Sequence, residues 1–139
     1  MDLAYFNIGF RAENSKSALE KIKRREKPTT NSIQDALEIV TIMYEMSQGN
    51  SIKHLGDKFE AYSHLLYPDL EVLKNNPERE EILLKRKENL KRTYNLIRSL
   101  SKGEEILGQD LEIGVEFFSQ LSQNCISQSI TKRGPRLFF

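Results

Sequence analysis

Hydrophobic positions in this chain recur at helical spacing along most of its length, and the densest run lies at residues 32–48. There Ile33, Ala36, Leu37, Ile39, Val40, Ile42, Met43, Tyr44 and Met46 cover most of a helical circumference. A helix that is apolar nearly all round packs on several sides, so this second helix is predicted to be the buried centre of the fold. Asn31 and Gln34 stand at its expected N-cap, and Gly49 follows its last turn as a left-handed C-terminal residue often does.

The other segments carry narrower stripes. Helix one is expected to start near Ser15 or Ser17, with Ser17 and Glu20 at capping-box spacing, and to end at Pro28. Ala18, Leu19 and Ile22 form its apolar side. Helix three is expected over residues 51–67. At ~100° per residue, Ile52, Leu55, Phe59, Tyr62 and Leu66 fall on one side of it before Pro68. Asn76-Pro77 caps and opens helix four, with its seam at Leu83, Leu90, Tyr94 and Ile97, its end near Ser101 and Gly103 beyond. Glu81 with Lys85 and Glu88 with Arg92 are helix-supporting pairs at i,i+4. Helix five gathers from Asp110, with Leu111, Val115, Phe118, Leu121 or Ser122, and Cys125 on its inner face. It is expected to fade after Gln123 and to end before Gly134-Pro135.

Residues 2–10 read differently. The alternation of Phe6, Ile8 and Phe10 suggests a short strand or an extended arm, with no second segment of period two to pair with it. The predicted architecture is therefore all-α: one helical bundle spanning residues 1–139, of about five helices around a buried central helix. A short extended N-terminal arm (residues 1–14) and an apolar and basic tail (residues 132–139) flank it.

Composition narrows the function classes. With 139 residues, 38% hydrophobic and 29% charged, the chain has the size and balance of one folded domain. A net charge of +1 lacks the basic excess usual in proteins that live on nucleic-acid phosphates. Cys125 is the single cysteine, so no internal disulfide can form, which fits a reducing compartment. Met1-Asp2-Leu3 opens with an acid rather than a basic leader, and the longest apolar run is the four residues 3–6. The expected location is intracellular and soluble, cytoplasmic by default, with no membrane association.

His54 and His64 have acids between them, but on one helix they lie ~15 Å apart along its axis. A zinc–nitrogen bond is ~2 Å, so they cannot share an ion. Glu60 and His64 alone lack the second histidine of the zinc-protease spacing. Cys125 continues an inward seam and has no base placed beside it. The seven glycines form neither a P-loop nor a dinucleotide fingerprint. The stretch 45–59 has some likeness to the opening of a helix-turn-helix. Its recognition helix would begin near residues 61–63 and would run into Pro68. No enzyme activity, metal, cofactor or small-molecule substrate is expected.

Two surfaces remain. One is basic. Residues 16–27 hold six basic side chains against two acids, and residues 85–92 hold five against one. The candidates are Lys21, Lys23, Arg24, Arg25 and Lys27 on helix one, and Lys85, Arg86, Lys87, Lys91 and Arg92 on helix four. An acidic stretch from Glu104 to Glu116 opposes them. The second surface is apolar, at the two ends: Phe6, Ile8 and Phe10, and Leu137, Phe138 and Phe139. The favoured expectation is a non-enzymatic interaction module, a regulator, adaptor or assembly subunit that docks a protein partner or self-associates. The alternative is a nucleic-acid-binding accessory protein using the basic clusters.

Overall fold

The computed structural model describes residues 3–50, 52–56, 58–106 and 108–137, with side chains described through residue 129 except at 53. The order of elements is α1 (Leu3–Lys23), α2 (Thr30–Ser47), a 3-10 turn (Lys53–Leu55), α3 (Lys58–Leu66), α4 (Leu70–Leu73), α5 (Arg79–Ser101) and α6 (Gly108–Leu137). Among the described residues there is no strand, and the all-α bundle is confirmed.

Four long helices close a ring. α1 packs on α2 and α6, and α5 packs on the same two from the other side. The short α3 touches α1, α2 and α6. α1 and α6 run antiparallel: Gly9 lies against Cys125, Leu19 against Gly114, and Lys23 reaches Glu112. Helix two is one wall of this ring. Its Ala36, Ile39, Val40, Ile42 and Met43 are buried, while Asn31, Gln34 and Glu38 face solvent. Its wide apolar surface is explained by three neighbours, α1, α5 and α3, and it is not enclosed on every side.

The extended arm is overturned, because residues 3–14 are the first half of α1. The inward residues are Tyr5, Ile8, Ala12, Ser15 and Leu19, spaced alternately three and four apart, the repeat of a helix seam. The apparent period of two comes from Ile8 on that seam and Phe6 and Phe10 outside it. Helix three is also shorter than expected. Gly56, at φ +54°, separates the 3-10 turn from α3, and the inner face becomes Ala61, Tyr62 and Leu65. Phe59 turns outward.

The helix ends follow local chemistry. The Thr29 hydroxyl caps α2 by accepting from the Ser32 amide, two residues earlier than the expected Asn31. Asn76 Oδ1 accepts from the Glu78 amide ahead of α5. α1, α2 and α5 each close with the same pair of bonds. The amides of Glu26, Asn50 and Glu104 reach back to the carbonyls of Lys21, Glu45 and Ser99, and those of Arg25, Gly49 and Gly103 to Ile22, Met46 and Leu100. This is the Schellman arrangement, whose left-handed residue is usually glycine. Gly49 and Gly103 fit it at φ +80° and +79°; Arg25 takes the same place at φ +61°. α6 runs through the Gly134-Pro135 boundary expected from sequence, to Leu137.

Inside, Leu90, Leu96 and Ile97 of α5 meet Leu111, Phe118, Leu121 and Cys125 of α6 in one core with the seams of α1 and α2. The buried hydroxyls of Ser15, Thr93 and Ser122 each donate to the carbonyl four residues earlier, which keeps them satisfied away from water. The Tyr44 and Tyr94 rings stack at 4.4 Å between α2 and α5.

Candidate functional site

Of the ten basic candidates, five lie on α5 and Lys21 and Lys23 on α1, but Arg24, Arg25 and Lys27 fall beyond the end of α1 rather than on it. Four of the ten are drawn into ion pairs. Lys23 of α1 bonds Glu112, and Arg92 of α5 bonds Asp110 at 3.0 Å. Residues two apart on a helix point to nearly opposite sides, so these contacts clasp the first turns of α6 from either flank. Arg92 thus pairs with Asp110 of α6 rather than with the expected Glu88. Arg24 pairs with Glu26. Arg86 forms a two-pronged pair with Asp69, at 2.6 and 2.5 Å, tying the start of α4 to α5. Those hydrogen bonds from Arg86 hold the Asp69 carboxyl below its ordinary range, and the reciprocal bond raises Arg86. Arg25, Lys27, Lys85, Lys87 and Lys91 are exposed, and Lys21 is half-buried.

A basic group outside the candidate set has a structural role. Arg11 bridges α1 to Asp35 and Glu38 of α2. Burial opposes its charge, but the hydrogen bond and charge of Glu38 outweigh that and raise its pKa. Buried Tyr62 lies near the same group, its phenol pushed up to about 12 by burial.

The histidines do not share one helix: His54 lies in the 3-10 turn and His64 in α3. His64 Nδ1 is 2.9 Å from the Tyr5 hydroxyl, which fixes α3 against the start of α1. Cys125 is buried, and burial pushes its thiol up to about 12. No group of three metal-ligating side chains occurs among the described residues.

The apolar candidates divide. Ile8 is 2% exposed and belongs to the core, correcting its assignment to a contact surface. Phe6 and Phe10 are 52% and 63% exposed. Leu3, at 67%, extends their stripe by one turn, and Ile126 of α6, at 54%, stands beside it. Leu3 and Ile126 were missed from sequence. Placing the Tyr5–Ile8–Ala12–Leu19 seam would have shown Leu3, Phe6 and Phe10 as a second stripe on the outside. Leu137 lies in α6 with its side chain outside the described set, and Phe138 and Phe139 lie outside the described residues.

Between α1 and α6 this stripe borders a groove of about 310 Å³, lined by Phe6, Gly9, Phe10, Ser122, Cys125 and Ile126 among others. Gly9 brings the helices close; a Cβ there would stand 3.1 Å from that of Cys125. A second hollow of about 460 Å³ lies where α2, α3, α5 and α6 meet, with Met43, Leu66, Leu90 and Phe117 against Arg86 and Asn124. No helix among the described residues is long and apolar enough to cross a membrane. Comparison of the chain with protein-family models, curated proteins and solved structures gives no match.

Proposed function

We propose that this protein is a non-enzymatic interaction module, a regulator, adaptor or assembly subunit that docks a protein through the outer face of α1 and α6. The observation that carries this reading is the exposed row of Leu3, Phe6 and Phe10 beside Ile126, above an apolar groove. Clustered exposed aromatics are uncommon on a solitary domain and typical of the anchors of an interface. Binding rather than catalysis is favoured because the one thiol is buried with a raised pKa and His64 is engaged by Tyr5.

Affinity capture with the full chain from cells that contain it, with and without nuclease, tests the reading. Phe6→Asp/Phe10→Asp is the comparison variant. A partner retained after nuclease and lost with the double variant supports the module. An unchanged partner list with the double variant removes this face from consideration. A second reading, nucleic-acid binding, rests on the exposure of Lys85, Lys87 and Lys91 on α5. It is favoured instead if capture is nuclease-sensitive and binding to labelled RNA or DNA falls steeply with salt.

A further inference from the structure

We propose that the occupant of this face is a second copy of the same chain, docked about a two-fold axis with Phe10 of each copy in the α1–α6 groove of the other. The proposal rests on the interaction reading above and names its partner. Three observations lead to it.

The first is charge. The chain is 29% charged, yet residues 3–10 and 117–131 contain no Asp, Glu, Lys or Arg. The fold lays these two stretches side by side, with Gly9 against Cys125, so a face with few charges results. A partner selected by charge finds little here to read, whereas an identical face meets it without like-charge repulsion. Glu13 is the charged residue among the described groove lining. With two α1 helices antiparallel about the midpoint of Phe6 and Phe10, Glu13 comes opposite Leu3. The two Glu13 carboxylates are then ~15 Å apart along the axis, beyond the ~8–10 Å screening length of ordinary salt.

The second is shape. A two-fold contact must be self-complementary, each copy offering both the projecting group and its receptacle. Phe10 projects from α1 at 63% exposure, and the adjacent groove of about 310 Å³ is large enough to take a phenyl ring. Both features lie within one turn of helix.

The third is area. The four exposed side chains offer roughly 400 Å² of apolar surface, within the range of the largest patches on single domains. With their uncharged neighbours, including Asn7 and Gln123, they approach the ~500 Å² per partner of the smallest specific interfaces. The pairing is therefore weak and reversible, set by concentration.

Sedimentation equilibrium on the full chain, from low to high micromolar concentration, tests it. The expected apparent mass rises from 16.2 kDa toward twice that value. The expected dissociation constant changes less than about twofold between low and high salt, because no ion pair crosses the contact. Phe10→Asp weakens association at least about tenfold. Leu84→Asp, on an exposed part of α5, leaves it unchanged. Ile126→Gln, a milder change on the other helix, weakens it with an unaltered thermal melt, which separates loss of contact from loss of fold.

A constant monomer mass at all concentrations overturns the proposal, as does a dimer that survives both Phe10→Asp and Ile126→Gln or dissolves with salt. A monomer whose double phenylalanine variant still loses a captured protein overturns the second copy alone and leaves the interaction reading standing. Loss of neither capture nor self-association in that variant ends both.

Discussion

Gly114 of α6 lies directly against Leu96 of α5: a Cβ at position 114 would stand 2.7 Å from Leu96 Cδ2, with Leu19 Cδ1 of α1 at 3.0 Å on the other side. Three helices meet at this point because one of them carries no side chain. Gly114→Ala gains up to ~1 kcal/mol of helix propensity, but two buried leucines must move together. A net loss of ~1 kcal/mol is expected from overpacking. Urea denaturation should show it, and in a Leu96→Ala background the same substitution should become neutral or stabilising. A stabilising effect in the native background would contradict the close approach.

Arg25 occupies the left-handed position that Gly49 and Gly103 fill at the ends of α2 and α5. An L side chain there costs ~1 kcal/mol or slightly more. Arg25→Gly is therefore expected to raise stability by about 0.5–1 kcal/mol after allowing for the freer unfolded chain. The change also removes one exposed cation, so measuring it at high salt isolates the backbone effect.

Asp69 and Arg86 supply a pH-dependent clasp between α4 and α5. The Asp69 pKa is lowered by its hydrogen bonds from Arg86, so the folded state favours the ionised form. Its stabilising contribution is complete above the ordinary carboxylate range, near pH 4, and is lost as pH falls through the lowered value. Both groups are about one-third exposed, so Asp69→Asn should cost only ~0.5–1 kcal/mol at neutral pH. The gap between native and variant stability should close in acid. A gap that persisted unchanged at pH 2 would assign the cost to something other than the charge.

Cys125 should resist thiol reagents in the folded chain. Its pKa is raised to about 12 by burial, so the folded state disfavours thiolate. Labelling at pH 8 is expected to run at least about 100-fold slower than in urea and to follow the opening of the structure. The linkage runs opposite to that of Asp69: the stabilising preference for the thiol is complete below the ordinary thiol range, near pH 9, and is lost as pH rises toward 12. Labelling as fast as in urea would place the sulfur at the surface.

Much of the fold was legible because long helices announce themselves by repeated apolar spacing. The inner face of α6, Leu111, Phe118, Leu121 and Cys125, is legible in that spacing, as is the left-handed Gly49, whereas Asn76-Pro77 marks a turn two residues ahead of the α5 start rather than its cap and first residue. The first half of α1 was hidden because it carries two apolar stripes. Tyr5, Ile8 and Ala12 point inward and Leu3, Phe6 and Phe10 outward, so the hydrophobic pattern does not concentrate on one side. Gly9 adds to the disguise, since a glycine inside a short apolar run weakens a helix assignment. The site was half legible for the same reason: Phe6 and Phe10 could be named, but only the seam beside them shows why Ile8 is not their companion. The pairing of Arg11 with Asp35 and Glu38, and of Lys23 with Glu112, depends on which helices become neighbours. No local spacing encodes that.

The antiparallel contact of α1 with α6 joins two helices that have four others between them along the chain. During synthesis, the seam of Tyr5, Ile8, Ala12 and Leu19 emerges well before its α6 complement, with α2 to α5 made between them. Contacts so distant along the chain close slowly, since a long loop must be ordered before they form. The nascent chain therefore carries an apolar helix with only part of its cover until α6 leaves the ribosome. That interval, rather than the finished bundle, is where exposure to aggregation is greatest.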